Sequence, residues 1–233
     1  MNVAIIVAAG RGTRMNDGDV PKQFRMLAGA PLVVHTLRRF EQARTIDCTI
    51  LVVPVEHQAS FEMPNLTYGL SKLKRVVGGG ETRAESVRSA LDAVENLERE
   101  SGETGVHIVA VHDGARPFVS PAEIDLCVRA AGAHGAAILA APVTDTIKRI
   151  ADGRVTDTPP RSSLRRALTP QCFRTELLRE AYAAEGWRDA TDDSSLVERL
   201  GYEVRTLDGD PRNVKITTPE DWIIAEELVK SAK

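Results

Sequence analysis

The chain has 233 residues, 42% of them hydrophobic and 27% charged, enough for one large α/β domain with a full core. Its net charge of -3 excludes a general pull toward nucleic acid or an anionic membrane surface, so any phosphate ligand must be met by local basic groups.

The first element, Val3 to Val7, is a short β-branched run that ends in Ala8-Ala9-Gly10. It is too short to span a membrane and lacks the basic flank of a signal segment, so it reads as a buried strand of a cytoplasmic protein. Pro31 to Phe40 has helical spacing, with Leu32, Val33, Leu37 and Phe40 on one face. Cys48 to Val55, stopped near Pro54, and residues 73–77 are strand-like, the latter ending in Gly78-Gly79-Gly80. Glu81 to Leu97 predicts a helix, Val106 to Val111 a strand, Pro121 a helix start, and Gly135 to Val143 another strand. Strands alternating with helices imply a mostly parallel sheet covered on both faces.

The alternation then breaks. Thr146 to Ile150, Asp152-Gly153 and Arg154 to Thr158 read as a β-hairpin with a DG turn. It is polar and short, either an arm reaching a second subunit or a plain surface hairpin. A helix near 175–185 follows. Thr191-Asp192-Asp193 caps a helix running through Leu200. Tyr202 to Leu207 and Asn213 to Ile216 are strand-like. Thr218 caps the last helix, with Pro219 at its first position. No linker or repeat divides the chain, so residues 1–233 read as one domain, Rossmann-like, with a mixed, mostly parallel sheet and a projecting arm at about 144–165. Cys48, Cys127 and Cys172 are too scattered for a metal or disulfide framework and read as buried inert thiols.

The loop after the first strand, Gly10-Arg11-Gly12-Thr13-Arg14-Met15, stands where open α/β sheets bind ligands. It lacks P-loop spacing. It also lacks the third glycine of a dinucleotide fingerprint, since that position is Met15, and the next strand ends without an acid. Arg11, Arg14 and Lys22, from Pro21-Lys22-Gln23-Phe24, are suited to a triphosphate, or else form a solvated basic loop.

Ala8-Ala9-Gly10-x-Gly12-x-Arg14-Met15 followed by Pro21-Lys22-Gln23-Phe24 resembles the leading signature of nucleotidylyltransferases. Six further motifs follow in order: Gly79 to Val87, Val111 to Pro117, Asp145 to Lys148, Ala167 to Gln171, Thr191 to Asp193, and Asn213 to Lys215. The series resembles the 2-C-methyl-D-erythritol 4-phosphate cytidylyltransferase family of the non-mevalonate isoprenoid pathway, from first strand to last helix. One small departure is Gly114, where the family often has alanine, a change expected to leave the chemistry alone.

The resemblance implies attack of a sugar-alcohol phosphate on the α-phosphorus of CTP, with pyrophosphate leaving. A phosphate monoester is largely ionised near neutral pH, its second pKa being about 6, so no strong base is needed. Arg14 and Lys22 are then expected to neutralise the transition state, and Arg11 with the N–H groups of loop 10–14 (Gly10, Gly12, Thr13 and Arg14) to hold the other phosphates. Ala8, Ala9, Gly80, Arg83, Ser86 and Gly114 would meet CTP. Asp113 would ligate Mg²⁺ or another divalent cation, although a turn-forming aspartate before glycine is the plainer reading. Arg116, Thr146, Arg161, Thr169, Thr191 and Lys215 would bind the acceptor, with Arg161 and Lys215 holding its phosphate in line for catalysis. The arm would cross to a partner, giving a homodimer in which each active site is completed by the other subunit. His112 adjoins Asp113 but points to the opposite face of its strand, so it reads as structural support. His35, His57, His107 and His134 show no constellation. Two alternatives stay open: ribitol-5-phosphate cytidylyltransferase, and a non-catalytic nucleotide-binding regulatory subunit that kept the fold.

Overall fold

A computed structural model, describing residues 1–10, 21–59, 68–101 and 105–231, places the first apolar run inside a seven-stranded sheet. In chain order the strands are β1 (Asn2–Val7), β2 (Met26–Leu27), β3 (Ala30–Pro31), β4 (Cys48–Val53), β5 (Leu73–Gly78), β6 (Ile108–Asp113), β7 (Ala136–Pro142), β8 (Arg149–Ala151), β9 (Arg154–Asp157), β10 (Arg165–Arg174) and β11 (Arg205–Asp208). The helices are α1 (Leu32–Gln42), α2 (Arg83–Ser101), α3 (Pro121–His134), α4 (Thr175–Ala183), α5 (Asp193–Arg199) and α6 (Pro219–Ser231). The large sheet runs β11-β7-β10-β6-β1-β4-β5. All its pairings are parallel except the two made by β10.

The strands are apolar on both faces because both faces are covered. Val3 and Ile5 pack with Val87, Leu91 and Val94 of α2, while Ala4 and Ile6 pack with Val33 and Leu37 of α1 and Ile124 and Val128 of α3. Period two along the strands thus meets helical spacing of three and four. Fully burying each Ile or Leu contributes about 1.5–3 kcal/mol. The three cysteines are buried and free, as their apolar surroundings imply. Helix α3 starts with Pro121 after a capping box in which Ser120 and Glu123 satisfy each other's backbone N–H groups. Among the described residues no helix is long and apolar enough to cross a membrane.

Three expectations need correction. Asn213 to Ile216 is not a strand: its backbone makes isolated bonds instead, Ile216 N–H donating to Ala115 O at 2.9 Å. The strand expected from Tyr202 begins only at Arg205. Arg165–Arg174, where no element is predicted, is the longest strand described, and its register shifts between Ala167 and Gln171. Pro170 lies within that irregular stretch, which accommodates a residue that cannot donate to a ladder. The hairpin β8–β9 forms around Asp152 (φ 49) and Gly153 (φ 72), left-handed backbone that Asp-Gly tolerates. Its strands are shorter than predicted and every residue in them is exposed.

The chain leaves β1 through α1 on one face and reaches β6 through α2 on the other. Between them β1 pairs with β4 on one side and β6 on the other, so the crevice opens at the carboxyl ends of these strands.

Candidate active site

Strand β1 hands its end to the site through Ala8-Ala9-Gly10. Ala8 N–H still donates to Val52 O at 2.7 Å, extending the ladder past Val7. One helical turn, Lys22–Phe24, then buries Gln23. Its side-chain amide donates to Ala8 O (2.7 Å) and Gly10 O (3.1 Å), tying this turn to the backbone that follows β1. The adjacent Lys22 lines the cavity beside it. Arg11, Gly12, Thr13 and Arg14 lie outside the described residues.

The opposite wall comes from β5 and α2. A Cβ on Gly79 would stand 2.3 Å from Ala9 Cβ and 2.7 Å from Ser86 Oγ, so only glycine lets these two segments touch. Helix α2 is opened by Thr82 and Glu85, whose side chains accept each other's backbone N–H at 3.1 and 3.0 Å. Gly80, Arg83 and Ser86 face the cavity from this corner.

Asp113, the last residue of β6, forms the floor. Its register partner across the ladder is Val7. Oδ1 accepts from Arg83 Nε at 3.3 Å, and Oδ2 from Arg116 Nε at 3.0 Å and Lys215 Nζ at 3.1 Å. Burial alone would raise its pKa, but Arg83, Lys215 and Arg116 outweigh that and hold the carboxyl well below the usual carboxylate range. Asp113 is therefore ionised at any working pH. Arg83 also donates through Nη2 to Asp193 at 2.8 Å. Burial opposes its charge, and the two carboxylates more than compensate.

The cavity so formed is about 280 Å³, lined also by Val7, Glu81 and Ala115. Three cations, Lys22, Arg83 and Lys215, line it against the carboxylates Glu81 and Asp113. The excess is positive, as a polyphosphate requires. Among the described residues no cluster of three or more His, Cys, Asp or Glu could cage a metal. The lone Asp113 nevertheless fits Mg²⁺, which takes one or two carboxylates and fills its remaining positions with phosphate oxygens and water. Oδ1 meets one long contact and keeps acceptor capacity for such an ion.

Residues 2–231 match the 2-C-methyl-D-erythritol 4-phosphate cytidylyltransferase family. The chain belongs to that family. It is 41% identical to the 2-C-methyl-D-erythritol 4-phosphate cytidylyltransferase of Geotalea uraniireducens (strain Rf4), over 98% of this chain and 96% of that protein. It is 42% identical to the bifunctional enzyme IspD/IspF of Desulfotalea psychrophila (strain LSv54 / DSM 12343), over 98% of this chain but 57% of that longer protein. Among solved structures, the 4-diphosphocytidyl-2C-methyl-D-erythritol synthase of Anaerococcus prevotii DSM 20548 superposes with a TM-score of 0.80 at 30% identity, covering 98% of this chain and 95% of the other.

Of the residues that the cytidylyltransferase family implies, Ala8, Ala9, Gly10, Lys22, Gly80, Arg83, Ser86, Asp113 and Lys215 all line the one cavity. Arg116 stands just behind it, its Nη1 donating to Asn213 O at 2.9 Å. Thr169 is buried: its hydroxyl accepts Asp113 N–H at 3.2 Å and meets His112 Nδ1 at 2.9 Å. Its hydroxyl therefore braces Asp113. His112, with Nε2 3.0 Å from Arg116 O, completes that brace, and burial pushes its pKa down to about 4. It is the structural support its strand position implies. Thr146 and Thr191 are exposed, and Arg161 donates through Nη1 to Thr144 O at 2.7 Å. None of these three lines the cavity of the single chain.

Gly114 is less interchangeable than its size suggests. A Cβ there would lie 2.9 Å from Ala8 Cβ and 3.1 Å from Val7 O, so alanine requires β1 to give way.

Residues that sequence reasoning leaves out of the site include Gln23, Glu81, Gln171 and Asp193. Gln171 Oε1 accepts the N–H groups of Asp193 (3.1 Å) and Ser194 (3.1 Å), while its amide donates to Asp192 Oδ2 at 2.7 Å. Gln23, Glu81, Gln171 and Asp193 all sit inside the ordered motifs, which is the one signal the sequence held for them.

Proposed function

We propose that this chain transfers the cytidylyl group of CTP to 2-C-methyl-D-erythritol 4-phosphate. A phosphate oxygen of the acceptor attacks the α-phosphorus and forms a new P–O bond. The bond to the β-phosphate oxygen breaks and pyrophosphate departs with its electron pair. The observation that carries this reading is the match to the family over residues 2–231, whose motifs supply the lining of the cavity at the strand ends. Its excess of cations suits a reaction that depends on positioning and charge neutralisation and needs no base.

Arg14 and Lys22 neutralise the charge that develops on the α-phosphate and the leaving group. The backbone from Ala8 to Gly10, with Gly80, Arg83 and Ser86, takes the nucleotide, and Arg11 and the N–H groups to Arg14 take its outer phosphates. Asp113 holds Mg²⁺, which when bound offsets the charge of the triphosphate. Lys215 and Arg161 orient the acceptor phosphate, with Arg116, Thr146, Thr169 and Thr191 around the polyol. Because Thr146 and Arg161 flank the exposed hairpin, the acceptor half of each site is completed in a homodimer by the partner's arm. The apolar tips Ile147, Ile150 and Val155, exposed on that arm, support this reading. The protein acts in the cytoplasm.

The test is pyrophosphate release with CTP, Mg²⁺ and 2-C-methyl-D-erythritol 4-phosphate, with ribitol 5-phosphate as competitor. Release driven by the methylerythritol phosphate is expected. Preferential use of ribitol 5-phosphate would overturn the acceptor, and no release from folded protein would overturn the enzyme.

A further inference from the structure

Asp193 begins α5, has 0% exposure and connects to the cavity through Arg83. Its Oδ2 accepts from Arg83 Nη2 at 2.8 Å, its Oδ1 from the Tyr182 hydroxyl at 2.6 Å, and its N–H donates to Gln171 Oε1 at 3.1 Å. A carboxylate buried this deeply needs such partners. Capping does not explain it: the N-cap of α5 is Asp192, whose Oδ1 accepts Ser195 N–H at 3.1 Å.

The geometry around Arg83 gives Asp193 a task. A guanidinium facing one carboxylate tends to grip it with two parallel bonds. Here one prong is held by Asp193 at 2.8 Å, and only Nε reaches Asp113, at the longer distance of 3.3 Å. Asp193 thus draws Arg83 back, and Asp113, which lines the cavity, keeps acceptor capacity on Oδ1 beside that one long contact.

We propose that Asp193 is a positioning residue, fixed by Tyr182, that holds Arg83 between two carboxylates so that Asp113 stays open to the phosphate-bound divalent cation. The inference rests on the cytidylyl-transfer reading above. Without the Asp193 charge, Arg83 turns fully onto Asp113 and competes with the cation for it.

The test uses wild type, Asp193→Asn and Tyr182→Phe, with Mn²⁺ as probe. Mn²⁺ binding in the presence of CTP is read by electron paramagnetic resonance, and turnover is followed against Mn²⁺ and acceptor. Asp193→Asn is expected to raise the Mn²⁺ dissociation constant about tenfold, as loss of a group behind a metal ligand does. The acceptor KM stays unmoved, and Tyr182→Phe shows a smaller rise in the same direction. A folded Asp193→Asn with wild-type Mn²⁺ affinity, or one in which the acceptor KM alone changes, overturns the proposal. If Asp193→Asn does not fold, Tyr182→Phe decides: wild-type Mn²⁺ affinity there overturns it equally. A wild-type chain that binds Mn²⁺ and CTP but releases no pyrophosphate sinks the reaction and leaves the positioning standing, because binding is read without turnover.

Discussion

At the strand ends Asp113 is 6% exposed and bonded to three cations, whereas every residue of the hairpin strands Arg149–Ala151 and Arg154–Asp157 is exposed. Asp113 lies in the first region, and Thr146 and Arg161, which the family resemblance implies for the same site, flank the second. Among the described residues the first is braced from behind: Asp113 meets Arg83, Arg116 and Lys215, and His112, Thr169 and Gln23 hold the backbone there. The second has only its own two-stranded pairing, too little for independent stability. A packed, charge-paired strand end therefore contrasts with a hairpin that is exposed in the single chain. Preorganised charge lowers a barrier because nothing has to reorient when charge develops, so for the proposed reaction the catalytic weight is expected at the strand ends.

That contrast can be broken most directly at Lys22. Lys22→Ala is expected to lower kcat by about 10²–10³-fold, the usual loss when one preorganised stabilising group is removed, with a much smaller change in CTP affinity. Steady-state kinetics with direct CTP binding measures both, and a change in KM alone would move Lys22 out of the reaction.

The next effect is on stability at the braced end. His112 stays neutral in the fold, its pKa lowered to about 4 by burial. The unfolded chain binds its proton near 6.5, so this contribution is complete above that pH and is lost as pH falls toward 4. It amounts to about 3 kcal/mol. Urea unfolding between pH 7 and 4 should show that slope in wild type and a flatter one in His112→Gln. Equal slopes would remove His112 from the account.

The smallest effect on the protomer belongs to the arm. Ile150→Asp and Val155→Asp should alter thermal stability by no more than about 0.5 kcal/mol, as exposed substitutions do. Activity should nevertheless fall on dilution, with a shift to monomer in sedimentation. Unchanged sedimentation and specific activity would leave the hairpin as surface decoration.

Much of the architecture was legible before the structure. Apolar runs such as Val3 to Val7 and Cys48 to Val53 announce buried parallel strands, and α2 and α3 announce themselves by spacing and by Pro121. What escaped did so for physical reasons. Arg165–Arg174 contains Pro170 and polar Thr169 and Gln171, which local propensity counts against a strand. The sheet accepts them through a register shift and long-range partners such as His112 and Asp192. Asn213 to Ile216 has the composition of a strand, yet its backbone makes isolated bonds such as Ile216 N–H to Ala115 O. Its buried polar residue, Asn213, instead donates to Thr169 O at 2.8 Å.

By itself the sequence determined the fold class and the family, because periodicity and ordered motifs are local properties. Only the tertiary structure decided what those motifs do to one another. Arg83 and Asp193 lie 110 residues apart and Arg116 bonds a carbonyl 97 residues away, and no local pattern encodes which distant charge will neutralise a buried one. The carboxylates that hold Arg83 in place across the cavity come from strand and helix ends brought to the same crevice by the sheet.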